Sequence, residues 1–210
     1  MHTTKSSKRA GRPRSAEKDE AILAAALELL ATQGYVRMTL DQVASAADVS
    51  KSTIHLRFKT KADLLTAALA ALRMADAPPP SGDVRTDLVA ILKDFAATIE
   101  RVNGMALIGT CLAEEAHTPD LLALLRERTV LPRRALLRDV LERARRTGQV
   151  RADGDLEAAV SALLGPFYAD YMAGRGGHAE WAEQAVNLVL AALAPQQRNE
   201  AVDPGGLPRT

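Results

Sequence analysis

The chain has 210 residues, 47% of them hydrophobic and 25% charged, which is typical of an ordinary soluble protein with one large core or two small ones. No run of about 18 apolar residues is present to span a bilayer, and no apolar segment follows the basic N-terminus, which excludes a signal peptide. We therefore expect a cytoplasmic protein. A single cysteine, Cys111, excludes an intramolecular disulfide and a multi-cysteine zinc site.

The formal net charge of +1 is distributed unevenly along the chain. Residues 1–61 hold 11 Lys and Arg against 6 Asp and Glu, a net +5, whereas the remainder holds 16 against 20, a net −4. Only the front of the chain is therefore suited to a polyanion. Residues 1–14 hold five cations and no acid. They predict a flexible basic arm that is a solvated tail in the free protein. On DNA, Arg12 and Arg14 could also enter the minor groove, and the two interpretations can hold at once.

The first helix is predicted over 15–33, where Ile22, Leu29 and Leu30 fall on one stripe and Gly34 provides a C-terminal stop. Aromatic residues make up only 3% of the chain, while Ala and Leu are abundant, and this balance favours helices over strands. No segment has the alternation of a strand. The sequence therefore predicts an all-α fold.

A helix-turn-helix is predicted over about 39–58. Thr39 and Gln42 have the spacing of a capping box, so a short helix should begin there. Asp48 tolerates the backbone geometry of a tight corner, and Ser50 can cap a second helix after it. Two short helices joined by a three-residue corner have the geometry of a DNA-reading motif.

The second helix of this motif has the face that would enter the major groove of DNA. With Ile54 and Phe58 turned inward, the opposite side presents small, polar and mostly cationic side chains. Lys51 could donate to guanine O6 and N7, and Leu56 could touch a thymine methyl group. Ser52 and Thr53 could reach bases or phosphates, and His55 lies on the same side of the helix. Arg57 and Lys61 are better placed for phosphates.

A fourth helix is predicted from Thr60, because Thr60 and Asp63 repeat the capping-box spacing. Three prolines and a glycine at 76–83 then prevent helix formation and mark a domain boundary. The predicted organisation is an arm at 1–14, a DNA-binding domain at 15–75, a body at 83–195 and a disordered tail at 196–210.

Four or five further helices are predicted in the body. Thr118 and Pro119 indicate a cap followed by a first-turn proline. Pro132 predicts a kink or a break, and Asp155 or Asp153 is expected to cap a later helix. The predicted ranges are about 84–102, 105–116, 119–147, 155–173 and 179–194.

Four segments, in this order and spacing, resemble the TetR-type family of transcriptional regulators: GRPR, ILAAALELLATQGY, TLDQVASAADVSKSTIHLRF and KTKADLL. The resemblance implies an N-terminal three-helix head with a helix-turn-helix and a C-terminal helical bundle for ligand binding and dimerisation. It also implies that Tyr35 packs against the motif. The DNA-contacting positions that it implies are Thr39, for phosphate, and Lys51, Ser52, Thr53, His55, Arg57 and Lys61.

Two positions depart from the usual pattern of this family. Asp48 stands in the corner where the family usually has Gly, and His55 stands where it usually has Tyr. A short polar residue tolerates the corner, whereas an imidazole can be a donor, an acceptor or a cation. The departure at His55 leaves the preferred operator open.

The last two helices carry more apolar residues than one small bundle needs. Core packing within one chain is one interpretation, and a two-fold interface in which the same patch meets itself is the other. The resemblance implies a four-helix interface from these helices, and it favours a homodimer on a pseudo-palindromic operator. The candidate interface residues are Leu156, Val160, Leu163, Leu164, Trp181, Leu188, Val189 and Ala192.

The resemblance also implies a ligand pocket in the body. An apolar set with a few polar handles suits a small apolar or aromatic effector, although plain core packing explains each residue as well. The candidates are Phe95, Met105, Ile108, Cys111, Leu112, Phe167, Tyr168 and Tyr171, with Glu114, Glu115 or His117 as polar anchors.

The body contains no recognisable catalytic constellation, because its histidines are scattered and no phosphate loop or dinucleotide fingerprint is present. Cys111, Glu114 and His117 could loosely share a helical face and bind a metal, but a buried thiol explains the cysteine better. We therefore expect no enzyme, no cofactor and no metal. The expected function is a homodimeric, ligand-responsive repressor. The alternatives are an activator or corepressor-dependent regulator of the same fold, a helical enzyme and a non-DNA-binding adaptor.

Overall fold

The computed structural model describes residues 13–72, 79–175 and 180–195, with side chains from residue 16 onward. In these ranges every regular element is helical, which confirms the all-α prediction. None of the helices in these ranges is long and apolar enough to cross a membrane. In chain order the helices are α1 (Pro13–Gln33), α2 (Leu40–Ala46), α3 (Lys51–Arg57), α4 (Lys61–Ala71), α5 (Val84–Arg101), α6 (Gly104–Ala113), α7 (Pro119–Leu125), a π-helical turn (Arg126–Val130), α8 (Leu131–Arg146), α9 (Leu156–Met172) and α10 (Trp181–Ala192).

The chain forms two compact units, each made of segments that are distant in sequence. Unit 1 comprises the chain up to Pro79 together with Ile91–Leu136, and unit 2 comprises Pro80–Ala90 together with the chain from Leu137 onward. The first crossing between the units falls within the predicted boundary at 76–83, but the chain then returns to unit 1. This return follows from packing, because α1 contacts α6, and α4 contacts α7 and the π-helical turn.

Unit 1 is built around a hydrophobic core that α1, α4, α6 and α7 share. Ile22 and Leu30 of α1, Leu64 of α4 and Cys111 of α6 are fully buried in it. The helix-turn-helix belongs to the same core, since Ile54 of α3 is fully buried there too. The core of the helix-turn-helix is therefore continuous with that of α6 and α7, which lie beyond the predicted DNA-binding domain.

In unit 2, α9 and α10 pack against each other. Val160 and Leu163 of α9 and Val186 of α10 are fully buried. The segment that precedes α9 is tied to the end of α10, because Arg151 donates its backbone N–H to the Leu193 carbonyl at 2.8 Å. Apolar burial and this loop contact together fix the α9–α10 pair.

Three of the predicted helix starts are formed by the expected side chains. Thr39 Oγ1 accepts from the Gln42 N–H at 3.2 Å, and Gln42 Oε1 accepts from the Thr39 N–H at 2.8 Å, which completes a capping box. Thr60 and Asp63 form a second capping box with both hydrogen bonds at 3.0 Å. Asp155 Oδ1 accepts from two first-turn N–H groups of α9, each at 3.0 Å. These reciprocal bonds satisfy N–H groups that a helix start leaves without partners.

In the body, one predicted cap is not formed, and the distortion predicted at Pro132 takes the form of a π-helical turn. Thr118 precedes α7 but its side chain makes no capping hydrogen bond, although Pro119 does occupy the first turn. The long helix predicted over 119–147 is interrupted by the π-helical turn, and Pro132 lies in the first turn of α8. Proline lacks an N–H and its ring clashes with the carbonyl four residues earlier, so a wider turn accommodates it without reversing the chain.

Candidate nucleic-acid interface

The corner between α2 and α3 is closed by backbone hydrogen bonds. Ala47 donates its N–H to the Val43 carbonyl at 2.9 Å, and Val49 donates to the Ala44 carbonyl at 2.9 Å. Asp48 has a φ of 50°, in the left-handed region that only a short polar side chain or glycine adopts readily. The predicted tolerance of Asp48 for this corner is confirmed.

A network of hydroxyl groups begins α3. Ser50 Oγ accepts from the Thr53 N–H at 3.2 Å, which confirms the predicted cap. The same oxygen lies 2.9 Å from Ser52 Oγ and 2.7 Å from Thr53 Oγ1. A hydroxyl group has one donor and two acceptor sites, so Ser52 and Thr53 keep capacity for a further hydrogen bond.

The side of α3 that faces away from the core carries the residues predicted to read bases. The side chains of Lys51 and His55 are 72% and 53% exposed, and Ser52 is exposed as well. Leu56 is 88% exposed, two positions after the fully buried Ile54. This face therefore offers donors, acceptors and one apolar group at the surface, which is the set that distinguishes base pairs in the major groove.

The Lys51 and His55 side chains contact one carboxylate, Asp41 of α2, a residue that no motif in the sequence indicates. Lys51 Nζ donates to Asp41 Oδ2 at 2.7 Å, and His55 Nε2 lies 3.1 Å from Asp41 Oδ1. The hydrogen bond from Lys51, and after it the one from His55, lowers the pKa of Asp41 below its usual value of 3.8. The carboxyl group is therefore ionised at neutral pH.

Arg57 and Lys61, which were predicted to contact phosphates, also have partners within the protein. Arg57 forms an ion pair with Asp19 of α1, and its side chain is largely buried. Lys61 Nζ donates to the Tyr35 carbonyl at 2.9 Å and lies 4.5 Å from the centroid of the Tyr35 ring. Tyr35 itself packs against the core that includes the motif. These contacts tie α3 and α4 to α1 and to the segment that follows α1.

The remaining DNA-binding candidates precede α2. Thr39 Oγ1 is used in the capping box, where it also donates to Gln42 Oε1 at 3.0 Å. Arg14 lies in the first turn of α1, but its side chain is outside the described residues, as are Arg12 and the rest of the predicted arm. The predicted disordered tail at 196–210 is outside them as well.

The effector-pocket candidates belong to both compact units. Unit 1 holds five of the eight apolar candidates, of which Cys111 is fully buried and Leu112 is 54% exposed. Unit 2 holds Phe167, Tyr168 and Tyr171, and Tyr171 is exposed. Unit 1 also has an open groove of about 240 Å³ between the end of α1 and α6; none of the eight apolar candidates lines it, but Glu114, one of the candidate polar anchors, does. The members of unit 1 are Phe95, Met105, Ile108, Cys111 and Leu112.

One charged residue beside these candidates was missed from the sequence. Arg133 of α8 is buried, and its guanidinium carbon lies 4.8 Å from the centroid of the Phe95 ring. An arginine over an aromatic face is stabilised by the ring quadrupole, more so where water is excluded. Its position in a predicted long helix gave no indication of burial, because arginine is usually exposed.

The candidate metal group is not assembled. α6 ends at Ala113, and the chain then turns, with the His117 N–H donating to the Glu114 carbonyl at 2.9 Å. Burial raises the pKa of the Cys111 thiol to about 11, so the thiol stays protonated at neutral pH and is a poor ligand. In the part of the chain that the structure describes, no three His, Cys, Asp or Glu residues are placed to hold a metal ion.

Most of the dimer-interface candidates lie in the core of unit 2. Their stripes on α9 and α10 face each other within one chain, so they are not free to contact a second copy. Leu188, at 69% exposed, and Ala192 are the exceptions. Other large apolar side chains left exposed on α9 are Tyr171 and Met172. The six buried candidates are Leu156, Val160, Leu163, Leu164, Trp181 and Val189.

Two family models match consecutive parts of the chain. The model of bacterial regulatory proteins of the tetR family matches residues 22–68, which contain the helix-turn-helix. The model of the tetracyclin repressor-like C-terminal domain matches residues 78–189, which is more than half of the chain.

Individual proteins agree with these matches. The chain is 31% identical over 167 residues to the regulator YdeS of Bacillus subtilis, covering 75% of this chain and 80% of that protein. It is also 31% identical over 134 residues to a helix-turn-helix regulator of Mycobacterium tuberculosis, but that match spans only 65% of the relative's length. The crystal structure of the TetR family regulator SCO0332 aligns with a TM-score of 0.61 and 29% identity, covering 85% of this chain and 100% of that one. The chain belongs to the TetR family of helix-turn-helix transcriptional regulators.

Proposed function

We propose that this protein is a homodimeric repressor that binds a pseudo-palindromic operator through α3 and releases it when a small molecule binds. The observation that carries the proposal is the exposed face of α3. Its exposed side chains are those of Lys51, Ser52, His55 and Leu56, while Ile54 on the opposite side is buried and anchors the helix. The family match to a repressor-like domain supports the sign of regulation. Chromosomal DNA is the target, so the protein acts in the cytoplasm.

Each part of this face has a chemical role at a base edge. Lys51 donates to guanine O6 and N7, and the exposed Leu56 covers a thymine methyl group, which otherwise remains in water. Ser52 and Thr53 donate to bases or to phosphate oxygens with the hydroxyl capacity that capping leaves. Phosphate contacts fix the register, with Thr39, Arg57 and Lys61 adding to their internal roles and Arg12 and Arg14 reaching along the groove.

A second copy of the chain completes the regulator. Tyr171 and Met172 of α9 and Leu188 of α10 are large apolar side chains left in solvent, and a two-fold contact would bury them. Two copies would present two α3 helices to half-sites about one helical turn, or roughly 34 Å, apart. This arrangement requires the operator to be an inverted repeat.

The effector acts by shifting a population of conformations. An apolar or aromatic molecule that binds among the pocket candidates of unit 1, with a preference for the state that does not bind DNA, reduces the fraction of dimers at operator spacing. A coupling of about 1–3 kcal/mol changes operator affinity about 5- to 150-fold.

Selection of bound duplexes from a random DNA library tests this function. The purified full chain is expected to enrich an inverted repeat and to bind it as a dimer, with an affinity that falls steeply as salt increases. Enrichment of no sequence over random duplexes would contradict the proposal. The enriched duplex then serves as the probe in a screen for compounds that release it.

A further inference from the structure

We propose that Asp41 is a specificity-determining residue for DNA: it holds Lys51 and His55 in one arrangement and so fixes which hydrogen-bonding groups α3 offers to base edges. The inference rests on the proposed function, because it takes α3 as the helix that reads DNA. Asp41 is thus a positioning residue that acts through two reading residues. This role explains why a negatively charged side chain lies beside a surface that is proposed to bind DNA.

The position of Asp41 is set by the local fold. It is the second residue of α2, directly after Leu40, and the capping box of Thr39 fixes this first turn. Leu40 and Val43 are buried and anchor α2 beside α3. The Asp41 backbone is therefore held rigidly, so the carboxylate can restrain two long or rotatable side chains on the neighbouring helix.

The two oxygens of this carboxylate are used by different partners. Oδ2 accepts from Lys51 Nζ at 2.7 Å, and Oδ1 lies 3.1 Å from His55 Nε2. All three side chains are partly exposed, at 46% for Asp41. The contact therefore adds little to stability, since exposed ion pairs contribute about 0–1 kcal/mol. Its consequence is geometric.

An ionised carboxylate can only accept, so His55 Nε2 must carry the hydrogen in this contact. In the neutral ring this leaves Nδ1 as an acceptor, which matches the amino groups of adenine N6 and cytosine N4. Lys51 donates one of its three N–H groups to Asp41, and the other two can donate to guanine O6 and N7. The face of α3 then has a defined donor at Lys51 and a defined acceptor at His55.

Removal of the carboxylate charge would change both residues. His55 could then adopt either tautomer, and Lys51 would move freely on its four-carbon stem. The released ammonium group would be available to any phosphate, and each additional neutralised phosphate steepens the salt dependence, log K against log salt, by about 0.9. Asp41 therefore lowers sequence-independent affinity while it sharpens sequence preference.

The test compares the wild-type chain with Asp41→Asn and with Glu28→Gln. Glu28 is exposed on α1, so this control makes the same charge change outside the reading face. For each protein we would determine base preference by library selection and affinity for a random duplex over a salt series. Asp41→Asn is expected to lose about tenfold in the ratio of selected to random affinity, with the loss at bases that face α3 and with a steeper salt slope. Glu28→Gln should match wild type.

A measurement on the unsubstituted protein keeps the inference testable if Asp41→Asn fails to fold. The ¹⁵N shifts of the His55 ring at pH 8 report which nitrogen carries the hydrogen, and Nε2–H is expected to dominate. Dominance of Nδ1–H would overturn the inference, as would an Asp41→Asn variant whose base preference equals that of Glu28→Gln. If the wild type itself enriched no sequence, the proposed function would fail and the inference with it; if wild type and Asp41→Asn enriched the same motif equally, only the inference would fail.

Discussion

The helix pairs α2–α3 and α9–α10 differ in whether the side chains that their sequence patterns assign to function are exposed. On α3, a seven-residue helix with one fully buried residue, most of the side chains assigned to function are exposed, and Thr53 and Arg57 are half-buried. On α9 and α10, most of the apolar side chains assigned to a dimer interface are buried within the chain. Polar side chains on a short helix mostly face outward, whereas an apolar stripe fits a core and an interface equally well. Periodicity therefore locates an exposed polar face more reliably than an interface.

The largest effect is expected from Ile54→Ala in α3. Ile54 is fully buried, so its truncation should lower the free energy of unfolding by about 2–5 kcal/mol, because it leaves a cavity in the core of unit 1. Leu56→Ala, two positions away and exposed, is the matched control and should change stability by less than about 0.5 kcal/mol. Urea unfolding measures both. Equal losses for the two variants would contradict the assigned faces of α3.

In unit 2, two leucine substitutions distinguish the core from the proposed interface. Leu163→Ala should cost about 2–5 kcal/mol in urea unfolding, since Leu163 is fully buried. Leu188→Glu places a charge on the exposed face of α10 and should weaken the dimer, as measured by sedimentation, without unfolding the chain. If Leu188→Glu dissociated at the same protein concentration as the wild type, the interface would lie elsewhere.

The capping threonines should have intermediate effects. Thr39→Ala and Thr60→Ala each remove a side-chain acceptor from a helix start and should cost about 0.5–2 kcal/mol. Thr118→Ala should cost almost nothing, because the Thr118 side chain makes no capping hydrogen bond. Thermal unfolding of the three variants would compare them directly. A loss at Thr118 as large as at Thr60 would contradict the cap assignments.

The smallest expected effect is the pH dependence of stability that the Cys111 thiol causes, which is absent near neutral pH. Its folded pKa of about 11 lies above the ordinary 9.0, so the folded state disfavours the thiolate. Its contribution to stability is therefore complete below pH 9 and is lost as pH rises toward 11. Urea unfolding of the wild type and Cys111→Ala at pH 8 and pH 10.5 measures this contribution, and the difference between the two proteins should narrow at the higher pH. A constant difference would contradict burial of the thiol.

The caps and the corner of the helix-turn-helix could be predicted because each depends on residues two to four positions apart. Thr39 with Gln42, Thr60 with Asp63 and the left-handed Asp48 all have local causes that a sequence displays. The π-helical turn before Pro132 was only partly predictable, since proline indicates a distortion and not its form.

Contacts between elements could not be predicted in the same way. Asp41 lies 10 and 14 residues from its partners, so the contact exists only because the corner brings α2 beside α3. Arg57 pairs with Asp19, which is 38 residues earlier, for the same reason. The return of the chain to unit 1 after Ala90 likewise depends on packing between distant helices.

The most direct test of α3 as the reading helix is binding of the library-selected duplex by wild type, Lys51→Ala and Lys93→Ala at matched salt. Lys93 is an exposed lysine on α5, so its variant controls for the loss of one charge. Lys51→Ala should lose about tenfold or more in affinity for the selected duplex, with its thermal unfolding unchanged, while Lys93→Ala binds as wild type. Wild-type affinity in Lys51→Ala would contradict the account.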